Sequence, residues 1–255
     1  MNQDLFSLEK KIAIVTGGSR GIGRSIALGF ARAGADVVVT SRTAKDVERV
    51  AGEIEREGRK ALAIAADVSK SEDVDKIIKR SLKAFGRIDI LVNNAGISPI
   101  YKRAERITEE EWDQIMGVNL KGTFLCCLAA GEVMIEQQRG NIINITSVGA
   151  KVGLTRLLVY CASKGGVEQI TKVLALEWAR HNIRVNAIGP AYVETALTKP
   201  IQESPRLYDP LLQQTPMGRF AKPEEIVGAA IYLASPASSY VTGETIYVDG
   251  GLSAG

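Results

Sequence analysis

Tyr160 and Lys164 stand four apart in the string YCASK, at the head of a helical pattern, KGGVEQITKVLALEWAR. That spacing puts both side chains on one helix face. A phenol with its ordinary pKa of about 10 is a poor acid–base catalyst at neutral pH. An ammonium beside it favours the phenolate and draws that pKa toward the working range. Ser147 lies thirteen residues upstream of Tyr160, after the apolar run NIINITS. Its hydroxyl would hydrogen-bond a substrate oxygen and stabilise charge developing there. Together the three groups would move a proton onto or off an oxygen atom. That is half of the interconversion of a carbonyl and an alcohol.

The other half needs a hydride carrier, and the N-terminal region offers a place for one. The run KIAIVT ends in GGSRGIG, and a helical pattern follows at once. Gly17 lets the chain turn sharply. Gly21 and Gly23, flanking Ile22, let backbone approach a pyrophosphate and let the helix pack closely. The N–H groups and dipole of the helix N-terminus, with Ser19 and Arg20 beside them, would hold the phosphates. An NAD site usually carries an acid at the end of the second strand, to bond the ribose 2′-hydroxyl. Asp36 begins that strand instead, about 15 Å from the relevant end. The end itself reads Thr40-Ser41-Arg42. With no carboxylate there, Arg42 and Arg20 would face a 2′-phosphate, since guanidinium pairs well with phosphate. The sequence therefore predicts NADP(H) as preferred cofactor, with NAD(H) as the second option. Asp67, followed by Val68, closes the run KALAIAAD and is placed for an adenine edge. Asn93-Asn94-Ala95-Gly96 ends the fourth strand, RIDILVNN, at the same edge of the sheet.

These segments need elements to carry them. Apolar β-rich runs alternate with helical patterns along all 255 residues. Strands apolar at nearly every position are those covered on both faces, as in a parallel sheet between helix layers. The alternation predicts a single doubly wound α/β domain over residues 1–255. A helical region is expected around 109–138 and another near 223–234. Residues 191–216 carry four prolines and break the rhythm. A segment this long between elements reads as a substrate lid.

Composition narrows the function classes. Net charge is +3 with both signs interspersed, giving no nucleic-acid footprint. No apolar run reaches the roughly 18 residues of a membrane span, so no membrane partner is expected. The N-terminus lacks a secretory pattern, and a cytoplasmic protein is expected. Cys126, Cys127 and Cys161 lack metal-type spacing and read as reduced thiols. His181 is the single histidine, which excludes a multi-His metal site; no metal site is predicted.

These motifs, in this order, resemble the short-chain dehydrogenase/reductase family across essentially the whole chain. The matching strings are TGGSRGIG at 16–23, NNAG at 93–96, Asn119 in VNLKGTF, Ser147, and YCASK at 160–164. The resemblance implies a Rossmann-like domain with a seven-stranded parallel sheet flanked by helices. It implies a catalytic set of Asn119, Ser147, Tyr160 and Lys164. In the family pattern Asn119 holds a water linking Lys164 to solvent, and a structural helix kink at Asn119 is compatible with this. IGPAYVET resembles the nicotinamide-contacting stretch, placing Pro190, Val193 and Thr195 there; Ala191 stands where glycine is usual. A homotetramer is implied as well. Within the family the chain is similar to 3-oxoacyl-carrier-protein reductases and gluconate-type sugar-acid dehydrogenases. Tyr101, Lys102, Arg103, Arg156 and Arg206 are expected near the pocket mouth, where a basic rim would suit a carboxylated sugar or a phosphopantetheine. The remaining alternative is a catalytically silent dinucleotide-binding regulatory or scaffold protein, which would be expected to lack Tyr160 or Lys164.

Overall fold

The computed structural model describes residues 5–254. Strands and helices alternate as β1 (Ile12–Thr16), α1 (Gly21–Arg32), β2 (Asp36–Ser41), α2 (Ala44–Arg56), β3 (Ala61–Ala65), α3 (Ser71–Phe85) and β4 (Ile90–Asn93). The second half continues through α4 (Glu109–Met116), α5 (Gly122–Gln137), β5 (Gly140–Ile145), α6 (Leu158–Trp178) and β6 (Ile183–Pro190). It ends with α7 (Lys199–Gln202), α8 (Pro205–Gln214), α9 (Val227–Ala234) and β7 (Thr245–Val248). The seven strands form one sheet in the order β3-β2-β1-β4-β5-β6-β7, and every pairing is parallel. The expected seven-stranded doubly wound sheet is therefore present.

The apolar strands serve two cores at once, because successive side chains point to opposite faces. Ala13 and Val15 of β1 join Val37, Val39, Ile90 and Val92 on one face, against Ile26 and Phe30 of α1, Val50 of α2 and Leu233 of α9. Ile14, Val38, Leu91 and Ile142 point the other way, onto Ile77 of α3, Cys127 of α5 and Trp178 of α6. Close helix packing there needs a glycine. A Cβ on Gly131 of α5 would lie 2.4 Å from the Trp178 ring.

Helix ends follow local chemistry. Thr108 and Glu111 close a capping box at the start of α4. Gly86 takes the left-handed conformation (φ 75°) after α3, and its N–H bonds the Leu82 carbonyl at 2.8 Å. The helical region expected around 109–138 is observed as α4 and α5 joined by a π-turn at Gly117–Lys121. Glu109–Gln137 is, among the described residues, the one helical stretch long and apolar enough to span a bilayer by length and composition. Cys126, Cys127, Ala130 and Met134 bury one side of it in the second core.

β1 lies between β2 and β4, and the strand order reverses there. In open α/β sheets this switch point opens a crevice at the carboxyl ends of the strands. The segment read as a lid holds α7 and α8. Tyr192 stacks on Phe220 at 5.1 Å, and Tyr208 meets the same ring at 4.7 Å, tying α8 to the body of the domain.

Candidate active site

The crevice is a cleft of about 450 Å³ running over the ends of β1, β2, β3, β4 and β6. Its wall begins at Gly17, Ser19, Arg20, Gly21 and Ile22, and continues through Ser41, Arg42, Asp67 and Val68. It then passes Asn94, Ala95 and Gly96 to Tyr160, Lys164, Pro190, Val193 and Thr195. Gly23 lies behind the wall. A Cβ there would sit 2.3 Å from Asn94 Nδ2 and 2.5 Å from the Gly17 carbonyl oxygen, so its part in the turn is close packing.

The glycine turn is built against the end of β4. Gly17 has φ +61°, and a Cβ on it would meet Ala95 Cα at 2.8 Å. Asn94 Nδ2 donates to the Thr16 and Gly17 carbonyls at 2.9 and 3.0 Å. Thr16 Oγ1 accepts from the N–H groups of Asn94 and Ala95 at 3.0 and 3.1 Å. Gly18 N–H bonds the Thr40 carbonyl at 3.0 Å. Thr16 opens the string TGGSRGIG, but the string does not show that its hydroxyl holds the chain after β4.

At the adenosine end, Thr40 Oγ1 and Ser41 Oγ are buried without a protein partner. Buried hydroxyls are normally bonded, so a polar ligand group fits this end of the cleft. Burial pushes the Asp67 carboxyl up, but hydrogen bonds from Ser69 and the Arg42 charge outweigh it and hold the pKa below the usual range. Asp36 stands opposite Ile12 at the far end of β2, where it accepts from Lys60 N–H. Asp46 of α2 also lines the cleft, a neighbour the sequence reading passed over.

At the other end, β5 and α6 present the proton-transfer groups. Ser147 follows β5, and its Oγ accepts from Gly149 N–H at 3.1 Å. The Ser147 hydroxyl lies near enough to the Tyr160 phenol to favour its phenolate. Lys164 Nζ donates to the Ile145 carbonyl at 2.7 Å and lies 5.8 Å from the Tyr160 ring centroid. Thr146 Oγ1 bonds the Lys164 carbonyl at 3.0 Å, fastening α6 to the strand end. Burial lowers the Lys164 pKa to about 8. The Tyr160 pKa runs opposite to the sequence expectation. Burial raises it, and the Ser147 hydrogen bond offsets only part of the rise. Desolvation of a phenolate dominates.

Asn119 is fully buried within the π-turn. Its Nδ2 donates to the Ile97 carbonyl at 3.0 Å and to Ser163 Oγ at 3.1 Å, while Oδ1 accepts from Ile97 N–H at 2.8 Å. The side chain thus clamps the loop after Gly96 onto α6. Of the expected rim, Arg156 lies over the Tyr101 ring at 5.4 Å, and Lys102 pairs with Glu111. Cys126 and Cys127 are buried free thiols, and burial pushes Cys126 up to about 12. Among the described residues no cluster suited to a metal ion occurs.

Comparison with known proteins decides what this arrangement belongs to. A family model described as Enoyl-(Acyl carrier protein) reductase matches residues 17–253. The chain is 37% identical over 249 residues to 5-keto-D-gluconate 5-reductase of Escherichia coli, covering 98% of each. It is 41% identical over 250 residues to 3-oxoacyl-[acyl-carrier-protein] reductase of a Synechocystis species, covering 96% of this chain and 98% of the relative.

The chain belongs to the short-chain dehydrogenase/reductase family.

This short-chain dehydrogenase/reductase is an oxidoreductase of CH–OH and C=O groups, as its full-length relatives are. The alternative of a catalytically silent scaffold is set aside accordingly. A crystal structure of a gluconate 5-dehydrogenase from Burkholderia cenocepacia, in complex with NADP and tartrate, has a TM-score of 0.95. It is 38% identical, and the alignment covers 99% of this chain and 98% of that one.

Proposed function

We propose that this enzyme is an NADP(H)-preferring oxidoreductase of sugar-acid ketones and their secondary alcohols. The observation that carries the reading is the Ser147–Tyr160 pair beside Lys164, at the end of a cleft that begins at the glycine turn. The bound NADP(H) would supply or accept the hydride. Gly17, Ser19, Arg20, Gly21, Ser41, Arg42 and Asp67 would hold its adenosine and phosphate end. The unpartnered Ser41 hydroxyl and the two arginines favour a 2′-phosphate. Pro190, Val193 and Thr195 would border the nicotinamide. Ser147 Oγ would position the substrate oxygen, and Tyr160 Oη would give it a proton in reduction and take one in oxidation. Lys164 would hold a positive charge beside them, and Asn119 would keep the Gly96–Ile97 backbone against α6.

Sugar acids are favoured by the gluconate-type relatives and by Arg156, the basic residue stacked on Tyr101. A 3-oxoacyl thioester is the second reading, supported by the Synechocystis relative and by the exposed residues Leu197 of the lid and Met217 just after it. The test is NADPH oxidation with 5-keto-D-gluconate, in wild type and Tyr160→Phe. Turnover in wild type and a loss of about 10²–10⁴-fold in the variant are expected. Full turnover in Tyr160→Phe would remove the assignment. Turnover with a 3-oxoacyl thioester alone would select the second reading.

We further read the protein as a cytoplasmic homotetramer. Phe124 and Leu128 of α5 and Val173 and Leu176 of α6 are exposed apolar residues on helices the family pattern uses for assembly. The free thiols accord with a reducing compartment.

A further inference from the structure

The glycine turn is held from outside the cleft by a side chain with no place in the mechanism. Arg49 of α2 donates from Nη2 to the Ser19 carbonyl at 2.9 Å. Its Nη1 bonds Glu53 Oε1 at 2.7 Å. The other oxygen of Glu53 receives Arg24 of α1, from Nε at 2.8 Å and Nη2 at 2.7 Å. One carboxylate therefore braces α1 and α2 and aims the Arg49 guanidinium at the turn.

We propose that Arg49, braced by Glu53, is a positioning residue that fixes the Ser19–Arg20 peptide for a dinucleotide carrying a 2′-phosphate. The inference rests on the NADP(H) reading above. Ser19 and Arg20 both line the cleft, and Arg49 does not. The peptide between them is trans, so its carbonyl and N–H point in opposite directions. Holding the Ser19 carbonyl toward α2 turns the Arg20 N–H away from it. Among the described residues that N–H takes no protein partner, which leaves it for a phosphate oxygen. Arg20 itself is extended (φ −160°, ψ 171°) as the residue before α1, so the peptide plane also sets where its side chain leaves the turn. The ion pairs are half-exposed and contribute little to stability in such a setting. The information they carry is the orientation of one peptide.

The test is binding of NADPH, NADH and 2′,5′-ADP, followed by fluorescence or calorimetry, with folding checked by circular dichroism. The wild-type NADPH:NADH affinity ratio is read first. A ratio near one would contradict the NADP(H) reading and this inference with it. Given a wild-type preference, Arg49→Ala is expected to lower the ratio at least fivefold and to weaken 2′,5′-ADP in parallel. Arg49→Lys, which keeps a donor, should recover part of that loss, and the two can be compared with Arg49→Gln should the alanine variant fold poorly. An unchanged ratio in these variants overturns the proposal. Glu53→Gln separates positioning from direct contact. Loss of the brace should weaken NADPH binding if Arg49 works through Ser19. Tighter NADPH binding in Glu53→Gln would mean that the freed guanidinium meets the phosphate itself, and would also overturn the proposal.

Discussion

On the proposed reading, Lys164 and the hydroxyl groups of Ser147 and Tyr160 carry the proton transfer, and protonation of Tyr160 and Lys164 sets when. Tyr160 is held protonated by burial, which suits a group that must donate a proton to a reduced oxygen. Lys164, buried behind it, has a pKa lowered from 10.5 to about 8. Its charge is therefore complete well below pH 8 and is lost as pH rises through that value. Carbonyl reduction should fall with pH across the same range, because both the Tyr160 proton and the Lys164 charge favour an alcohol product. A pH profile of kcat/KM for reduction checks this, and a flat profile to pH 10 would contradict it. Much of this site was legible as sequence, because YCASK and the glycine turn are local patterns whose side chains act near their own backbone. What was not legible is relational. Thr16 serves the turn only because β4 ends beside β1. Thr146 and Asn119 act by fastening α6 to strand ends distant in sequence. The expected lowering of the Tyr160 pKa failed because burial of the phenol, which the spacing does not show, outweighs its neighbours.

At the scale of elements, the strands were readable from their uniform apolarity, and the structure shows why it is uniform. Alternate residues in the middle of β1 and β2 serve cores on opposite faces, so polar side chains are confined to the strand ends. The helical region at 109–138 was readable as helix and a kink at Asn119 as compatible with the resemblance, but the kink's form, a π-turn at Gly117–Lys121, was not. One extra residue in a turn leaves the apolar pattern nearly intact while rotating Asn119 inward. Close packing of α5 on α6 depends on Gly131, whose Cβ position is occupied by the Trp178 ring. Gly131→Ala should cost about 1–3 kcal/mol through overpacking, lowering Tm by several degrees. Turnover per folded molecule should be retained, because the contact lies in the core, away from the cleft lining. Thermal unfolding with a matched activity assay checks both halves; an unchanged Tm would show that α6 yields without strain. The segment 191–216 was readable as an irregularity, yet its short helices α7 and α8 were hidden by its prolines, two of which stand at helix starts.

At the scale of the molecule, one reversal of strand order creates the cleft, and every group assigned to hydride and proton transfer stands at or beside its edge. The sheet follows from the alternation of elements, and that alternation was visible in the sequence. The proposed tetramer rests on the resemblance and on exposed apolar residues of α5 and α6, which the sequence alone does not mark as exposed. Light scattering at micromolar concentration should give four times the chain mass of 27.4 kDa; a monomeric mass would contradict the tetramer. The central claim is that this cleft is built for NADP(H). The measurement that meets it most directly is a fluorescence titration of the wild-type protein with NADPH and, in parallel, NADH, repeated with Arg42→Asp. NADPH binding at least tenfold tighter than NADH, with the preference reduced or reversed in Arg42→Asp, is the predicted result. Tighter NADH binding in the wild type, or a preference untouched by Arg42→Asp, would contradict the account.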